Sequence, residues 1–383
     1  MTLFSAIEQP VLGMIALLSL LIWVYLFFAH GRFWQSGPEL PAATPPQFPE
    51  VDIVVPARDE AHTIGAAIDS LLGQDYGGNF RVILVDDNST DDTAALARSA
   101  ASVGTMSRLH VISLQTKPAG WSGKLWALSQ GVGAGHAPVL LLTDADIVHD
   151  PRHLSSLVAK LLQSNADMVS EMVRLNCRSD AERVLVPAFV YFFQMLYPFK
   201  RVNDSQSRVA AAAGGTVLIR RQALLRIGGI DAIKNSLIDD VALAKAVKFS
   251  GSIFLGHSGL AASIRPYPGF GDIWHMISRT AFTQLRYSAG LLALTLLGLA
   301  VVWLAPPTAL LFGPAWARAC GLAAFGIAVM SYQPTLRRFG QSPLWALTLP
   351  LIALFYMAAT LGSAVNYWRG RGARWKSRAY GAD

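Results

Sequence analysis

Val11 to Phe28 is an unbroken apolar run, VLGMIALLSLLIWVYLFF. One helical crossing of a bilayer takes about 20 such residues, and Ala29 with its flanks completes that length. A cleaved secretory signal needs a basic segment ahead of the run and a small-residue cleavage site behind it. No Lys or Arg precedes Arg32, and Phe27, Phe28 and His30 stand where cleavage would fall. The run therefore reads as an uncleaved anchor over residues 1–30. Positive charge follows it, which places the N-terminus outside and the next domain in the cytoplasm.

Apolar density returns after Ser288, with expected spans at Leu291–Leu304, Cys320–Tyr332 and Leu344–Tyr367 inside a C-terminal membrane region of 288–368. Pro306, Pro307, Gly313 and Pro314 are expected to separate the first two, and Arg318 to lie near a membrane surface. Arg337 and Arg338 flank the last span on one side, and a basic tail, 369–383, flanks it on the other. Three crossings leave that tail outside. Two crossings plus a re-entrant segment broken at Pro350 leave it inside, which the charge rule favours. The tail fits anionic lipid better than nucleic acid, and nothing in the sequence resembles a nucleic-acid module.

Composition agrees with a membrane protein. Of 383 residues, 52% are hydrophobic and 15% charged, against about 25% charged in soluble chains. That excludes a purely soluble, disordered or collagen-like chain. The net charge of +7 admits nucleic acid, membrane surfaces or phosphate-bearing substrates as partners. Two distant cysteines without a CxxC argue against structural zinc and a disulfide framework.

Residues 31–49 read as a linker, Pro-rich over 36–49 (SGPELPAATPPQFP), leaving a domain at 50–287. Val51–Pro56 and Arg81–Val85 are short β-branched runs, and Val139–Thr143 is a third strand pattern. Ala61–Leu72 and Thr93–Ala101 carry helical spacing. Strands alternating with helices imply a mostly parallel α/β sheet, whose ligands sit beyond the carboxyl ends of the strands. Two acidic clusters fall at such ends. Asp144 and Asp146, one residue apart, offer hard carboxylate oxygens suited to Mg2+ or Mn2+ shared with phosphates; the alternative is a solvated loop or a helix cap. Asp86 and Asp87 can accept from a nucleobase or a ribose, or can simply close an Asx turn.

Read together, VVPARDE (54–60), VILVDDNSTDDT (82–93), GWSGKLWALSQG (120–131), LLLTDADI (140–147), GGTVLIRRQALLRIGG (214–229) and IDD (238–240) resemble the family 2 glycosyltransferases, which have the Rossmann-like GT-A nucleotide-diphospho-sugar transferase fold. The segments VPAFVYFFQMLYPFKRVND (186–204), SLIDDVALAKAVK (236–248), IRPYPGFGDIW (264–274) and AFTQLRYS (281–288) are similar to the hopene-associated glycosyltransferases of bacterial hopanoid clusters. That subgroup shares N- and C-terminal transmembrane helices.

The resemblance implies roles position by position. Asp87 matches the uracil-binding acid, and Pro56, Ala57, Arg58 and Glu60 match the loop lining the nucleoside pocket, with Asp86 beside it. Lys124 matches a Lys near the nucleotide; its alternative is a surface Lys at a helix start. Asp144 and Asp146 match the DxD that holds the divalent cation, Mg2+ or Mn2+, on the sugar diphosphate. Asp240, paired with Asp239, matches the base that deprotonates an acceptor hydroxyl. Arg286 matches the Arg of a QxxRW-type motif, although an Arg at a span boundary can also merely snorkel. Glu171 lines the acceptor side or pairs with Arg174. The lone His257 and His275 read as structural, and the aromatic run from Phe189 to Phe199, with Trp274, as an interfacial platform or as core.

The motif that carries Arg286 has Thr283 for Gln and Tyr287 for Trp, which weakens a second reading, a processive polysaccharide synthase. A third, a non-catalytic scaffold with the same fold, predicts loss of acids that are all present. The expectation is an inner-membrane, multi-pass enzyme with a cytoplasmic catalytic domain. It passes a sugar from a nucleotide donor, UDP-linked in the family pattern, to a hopanoid-related membrane lipid by a metal-dependent inverting displacement.

Overall fold

The computed structural model describes residues 3–371, 374–375 and 378–379, with side chains from 10 to 371. Most of the expected basic tail lies outside the described residues. Contacts divide the chain into two units. Among the described residues, one holds those up to Gly37, Cys177–Lys200 and 267–371; the other holds Pro38–Asn176, Arg201–Pro266, Arg374–Trp375 and Arg378–Ala379. The unit with the sheet thus begins inside the expected linker, and 177–200 and 267–287 group with the terminal helices.

Among the described residues, the helical unit contains four helices long and apolar enough to cross a membrane: Pro10–Phe28, Ala289–Phe312, Ala315–Arg338 and Pro343–Trp368. Only 22–33% of each is buried within the protein. Met14, Leu18, Leu21, Phe28, Leu294, Leu297, Leu322 and Leu351 all face outward, an apolar exterior that water would not tolerate at this length.

Of the residues expected to separate the first two C-terminal spans, Gly313 and Pro314 do so. Pro306 and Pro307 do not end their helix. Ala300–Leu304 takes a π-helical turn, and the prolines open the following segment, Ala305–Phe312. In a first turn, proline lacks only an N–H that has no partner within that turn. The break falls at Gly313–Pro314, where Arg318 Nε donates to the Gly313 carbonyl at 2.8 Å. Pro350 likewise stands in the first turn of Leu349–Trp368, after a 3-10 turn at Pro343–Thr348. The mid-helix break that a re-entrant segment would use is absent.

Pro10–Phe28 and Ala315–Arg338 run in the same direction. The Trp316 ring lies against Gly13 at one end, and Arg338 Nε donates to Ser36 Oγ at 3.1 Å at the other. The Asp180–Leu196 helix starts on a capping box between Ser179 and Glu182 and delivers its aromatics to this bundle. Tyr191 is fully buried with its hydroxyl 2.6 Å from Ser331 Oγ. The Phe192 ring meets Tyr356 at 4.8 Å. For these two the aromatic run is core.

The second unit is built on one sheet. Its strands are β1 (Glu39–Leu40), β2 (Val51–Ala57), β3 (Phe80–Asp86), β4 (Leu109–Ser113), β5 (Val139–Thr143), β6 (Ile147–His149), β7 (Met168–Arg174), β8 (Thr216–Arg220) and β9 (Ile253–Ser263). The order is β1-β9-β7-β8-β5-β2-β3-β4, with β6 pairing β9. β4, β3, β2 and β5 are parallel, and β8 runs antiparallel to both β5 and β7. β2 and β5 are buried throughout, so they read as continuous apolar runs rather than alternating ones. The expected linker is not free chain: Glu39 and Leu40 pair with His257 and Ser258 of β9, and Leu40 is buried.

Candidate active site

The parallel strands bring three loops to one end of the sheet. The loops after β2 and β3 are laced together by their polar side chains. Thr90 N donates to Asp59 Oδ1 at 2.7 Å; Asp59 N donates to Ser89 Oγ at 3.0 Å; Glu60 N donates to Thr93 Oγ1 at 2.8 Å. Asp59 and Asn88 take left-handed backbone conformations, which Asp and Asn tolerate better than most residues. Asp87 is almost fully buried, and Arg58 bonds its carbonyl and, at 3.1 Å, that of Asn88. Asp86 accepts from both the backbone and the hydroxyl of Ser89, so of its two readings the turn is the one the geometry displays. Pro56 and Ala57 end β2, fully buried.

The third loop follows β5 and carries Asp144 and Asp146. Lys124 reaches it from the Gly123–Ala134 helix, whose Ser122 cap accepts from Leu125 N. That helix lies so close to the sheet that a Cβ on Gly131 would stand 2.4 Å from Val54 Cγ1. Lys124 Nζ is 2.9 Å from Asp144 Oδ1 and 3.1 Å from Asp239 Oδ2. Asp239 and Asp240 open the helix Asp239–Ser250. Asp240 accepts from Gly214 N at 2.9 Å and from its neighbour Val241 N at 2.7 Å. Pro56, Thr143, Gly214 and these charged groups line a recess of about 20 Å³, the room of one water.

Arg265, two residues past the end of β9, crosses to the same loop. Its Nε is 2.7 Å from Asp146 Oδ2 and its Nη2 is 2.7 Å from Glu60 Oε1. The sequence gives no sign of this pairing, because 119 residues separate Arg265 from Asp146.

Charge explains the electrostatics. Burial raises the pKa of Asp144, and Asp146 and Asp239 add to the rise against the pull of Lys124. Burial, then the Asp239 carboxylate, push Asp240 up to about 7. Burial disfavours the charged form of Lys124, but Asp144, Asp239 and Asp240 overcome it and hold its pKa well above the usual lysine value. Five acids, Glu60 included, thus surround one lysine and one arginine, an acidic excess that suits a divalent cation. Among the described residues no group of three or more His, Cys, Asp or Glu is placed to hold a metal unaided. Asp144 and Asp146 fit the kind of site that uses one or two carboxylates and takes its other ligands from phosphate and water.

Glu171 corrects the expectation for it. It is fully buried, binds His153 and makes no pair with Arg174, so it lines no open acceptor surface. β7 alternates its side chains across the sheet, and Glu171 falls on the inward side. Arg286 belongs to the helical unit, exposed at a turn where it and Tyr287 both have positive φ. His257 is buried.

The sequence model of the family described as "Glycosyl transferase family 2" matches residues 52–228. That segment, just under half of the chain, resembles the family. The chain resembles succinoglycan biosynthesis protein ExoU of Rhizobium meliloti, at 32% identity over 111 residues, 29% of this chain and 30% of that protein. It also resembles dodecaprenyl-phosphate galacturonate synthase of Rhizobium johnstonii, at 27% identity over 127 residues, 33% of this chain and 36% of that protein. It therefore spans about a third of the length of these curated relatives. Among solved structures, mannosyltransferase PcManGT from Pyrobaculum calidifontis, in complex with GDP-Man and Mn2+, shares the fold. Its TM-score is 0.59 at 19% identity, covering 92% of this chain and 98% of that one. The mixed sheet is accordingly of the GT-A type. The matched segment includes Asp87, Lys124, Asp144 and Asp146 and stops short of Asp239, Asp240 and Arg265.

Proposed function

We propose that the chain is a membrane-bound glycosyltransferase that moves a sugar from a nucleotide-diphosphate donor, UDP-linked, to a hydroxyl of a hopanoid-related or other polyprenoid membrane lipid, with inversion. The observation that carries this reading is the convergence on Lys124: one lysine lies within 3.1 Å of an acid on the β5 loop and of an acid at the helix start that presents Asp240. Donor-side and acceptor-side chemistry are thereby brought within one side chain's reach.

Asp144 and Asp146 are the residues that would hold a divalent cation, and bound there it would stabilise negative charge on the leaving diphosphate. Lys124, held protonated by three aspartates, supplies further positive charge at the same place. Arg58 and Asp87 shape the floor where the nucleoside binds. Asp240 takes the proton of the attacking hydroxyl. With a pKa of about 7 it is ionised enough to accept and basic enough to pull. Gly214 N–H aims one of its oxygens.

The lipid acceptor is supported by four helices fit to cross a membrane, which tether the enzyme where such acceptors reside. The parallel run of Pro10–Phe28 and Ala315–Arg338 puts Arg32 and Arg337/Arg338 at the same end. By the positive-inside rule that end is cytoplasmic, and the catalytic unit follows Arg32 directly. Asp240→Asn tests the scheme: it should bind nucleotide sugar as the wild type does and lose transfer. Wild-type transfer rates from that variant would remove Asp240 as the base.

A further inference from the structure

Behind the acidic loop lies a chain of buried polar groups that the chemistry above does not use. Thr143 ends β5 and His149 ends β6, so their side chains flank the base of the loop that carries Asp144 and Asp146. Thr143 Oγ1 is 3.2 Å from His149 Nε2. His149 Nδ1 is 2.8 Å from His153 Nδ1, and His153 Nε2 meets Glu171 Oε1. None of the four is more than 5% exposed, and Glu171 Oε2 has no hydrogen-bond partner among the described residues. At the other end, Thr143 Oγ1 is 2.8 Å from the Gly215 carbonyl oxygen. That carbonyl also accepts from Asp144 N at 3.4 Å, and the preceding Gly214 N donates to Asp240. The chain therefore ends on the dipeptide that touches both Asp144 and the base.

Two imidazoles joined through Nδ1 atoms need one donor and one acceptor, so the proton between them points in one of two directions. In the first, His153 donates from both nitrogens, to Glu171 and to His149. His149 then donates from Nε2 to Thr143, and the Thr143 hydroxyl donates to Gly215. In the second, with one proton fewer, His149 donates from Nδ1 to His153 and its Nε2 accepts the Thr143 hydroxyl. Gly215 then loses that donor. The second arrangement also leaves Glu171 as a buried carboxylate with no compensating charge, which is costly. His149 itself stays neutral in both; burial, then His153, hold its pKa well below the usual value.

We propose that Glu171, His153 and His149 are positioning residues that hold one extra proton, and that this proton aims the Thr143 hydroxyl at Gly215 and so fixes the acidic loop against the dipeptide that holds Asp240. The groups facing the pair are few. The Ile64–Leu72 helix brings the Ser70 hydroxyl, which accepts from His149 N at 3.1 Å. β9 sets Ala261, Ala262 and Ser263 opposite β6. His257 of β9 stands opposite Met172, the next residue after Glu171, and so on the other face of the sheet. β8 sets Thr216 opposite Thr143. Asp150, after β6, is held by Arg152.

The inference rests on reading Asp144 and Asp146 as donor-site acids, and the test separates the two. Full-length protein in detergent is titrated with UDP and with GDP, with and without Mn2+. Thr143→Val and Glu171→Gln should weaken Mn2+-dependent binding about tenfold, as loss of an outer-shell partner of a metal site does. Thr143→Ser should restore it, and metal-free nucleotide binding should stay within about twofold of wild type, because Thr143 bonds neither Arg58 nor Asp87. Wild-type binding by Thr143→Val overturns the proposal. A wild-type protein that binds neither nucleotide overturns the donor-site reading instead. Nitrogen NMR of the wild-type histidines needs no variant to fold: a His149 ring protonated at Nε2 is the expected result, and one protonated at Nδ1 refutes the proton arrangement in either case.

Discussion

Asp240 makes the pH dependence of transfer a quantitative test. Burial and the Asp239 carboxylate place its pKa at about 7, and only the ionised form can accept the acceptor's proton. For a single base of that pKa the active fraction is about 9% at pH 6 and about 91% at pH 8, so kcat/KM should climb about tenfold across that interval. Lys124 pulls the same pKa down. Replacing it in Lys124→Met removes a nearby opposite charge, whose loss raises a carboxyl by about one unit or more. The ascending limb should then move toward pH 8. Lys124 also faces the donor's phosphates in this account, so the midpoint of the limb is the informative quantity, not the absolute rate. The assay is initial-rate transfer of radiolabelled sugar into an extractable lipid fraction between pH 5.5 and 9. A flat profile, or a limb that stays in place in Lys124→Met, would refute the assignment of Asp240 and its coupling to Lys124.

Stability carries the same shift with the opposite consequence. Asp240 has its folded pKa raised from the ordinary aspartate value of 3.8. Its contribution to stability is complete below pH 3.8 and is lost as pH rises through about 7. Asp240→Asn should therefore raise the unfolding free energy at pH 8, by on the order of 2–4 kcal/mol, with little change near pH 4; thermal unfolding at the two pH values checks it. Arg265→Ala frees the buried Asp146 and Glu60 from their shared ion-pair partner. Manganese titration by electron paramagnetic resonance should show metal binding tighter by about fivefold, the equivalent of roughly 1 kcal/mol. Gly131→Val places methyl groups against Val54 and Val85, where even a Cβ stands 2.4 and 3.0 Å from their side chains. It should cost about 1–3 kcal/mol by overpacking and weaken nucleotide binding by displacing Lys124.

Much of the sheet was legible because its central strands are buried on both faces and read as β-branched apolar runs. Val51–Pro56 and Val139–Thr143 lie where the sequence places them, and their acids sit at the strand ends that parallel topology makes functional. The features that were not legible depend on side chains meeting across long stretches of chain. Arg265 reaches Asp146 only because β6 and β9 pair and bring their ends together. Glu171 looked like a site residue because it follows the strand-like run 167–170, yet β7 continues through it to Arg174 and its side chain meets the buried His153. The histidine chain left a faint trace, His149 and His153 being four apart, but a strand end and a helix start divide that interval. Pro306 and Pro307 misled for a local reason: a π turn ahead of them supplies the room that a regular helix lacks.

The most direct test of the account is calorimetric titration of the full-length protein with a panel of UDP- and GDP-sugars, with and without Mn2+, repeated on Asp240→Asn and on the Asp144→Ala, Asp146→Ala double variant. The account predicts Mn2+-dependent binding of one UDP-sugar that survives in Asp240→Asn and disappears in the double variant. Donor binding that ignores Mn2+, or that persists undiminished without both aspartates, would contradict it.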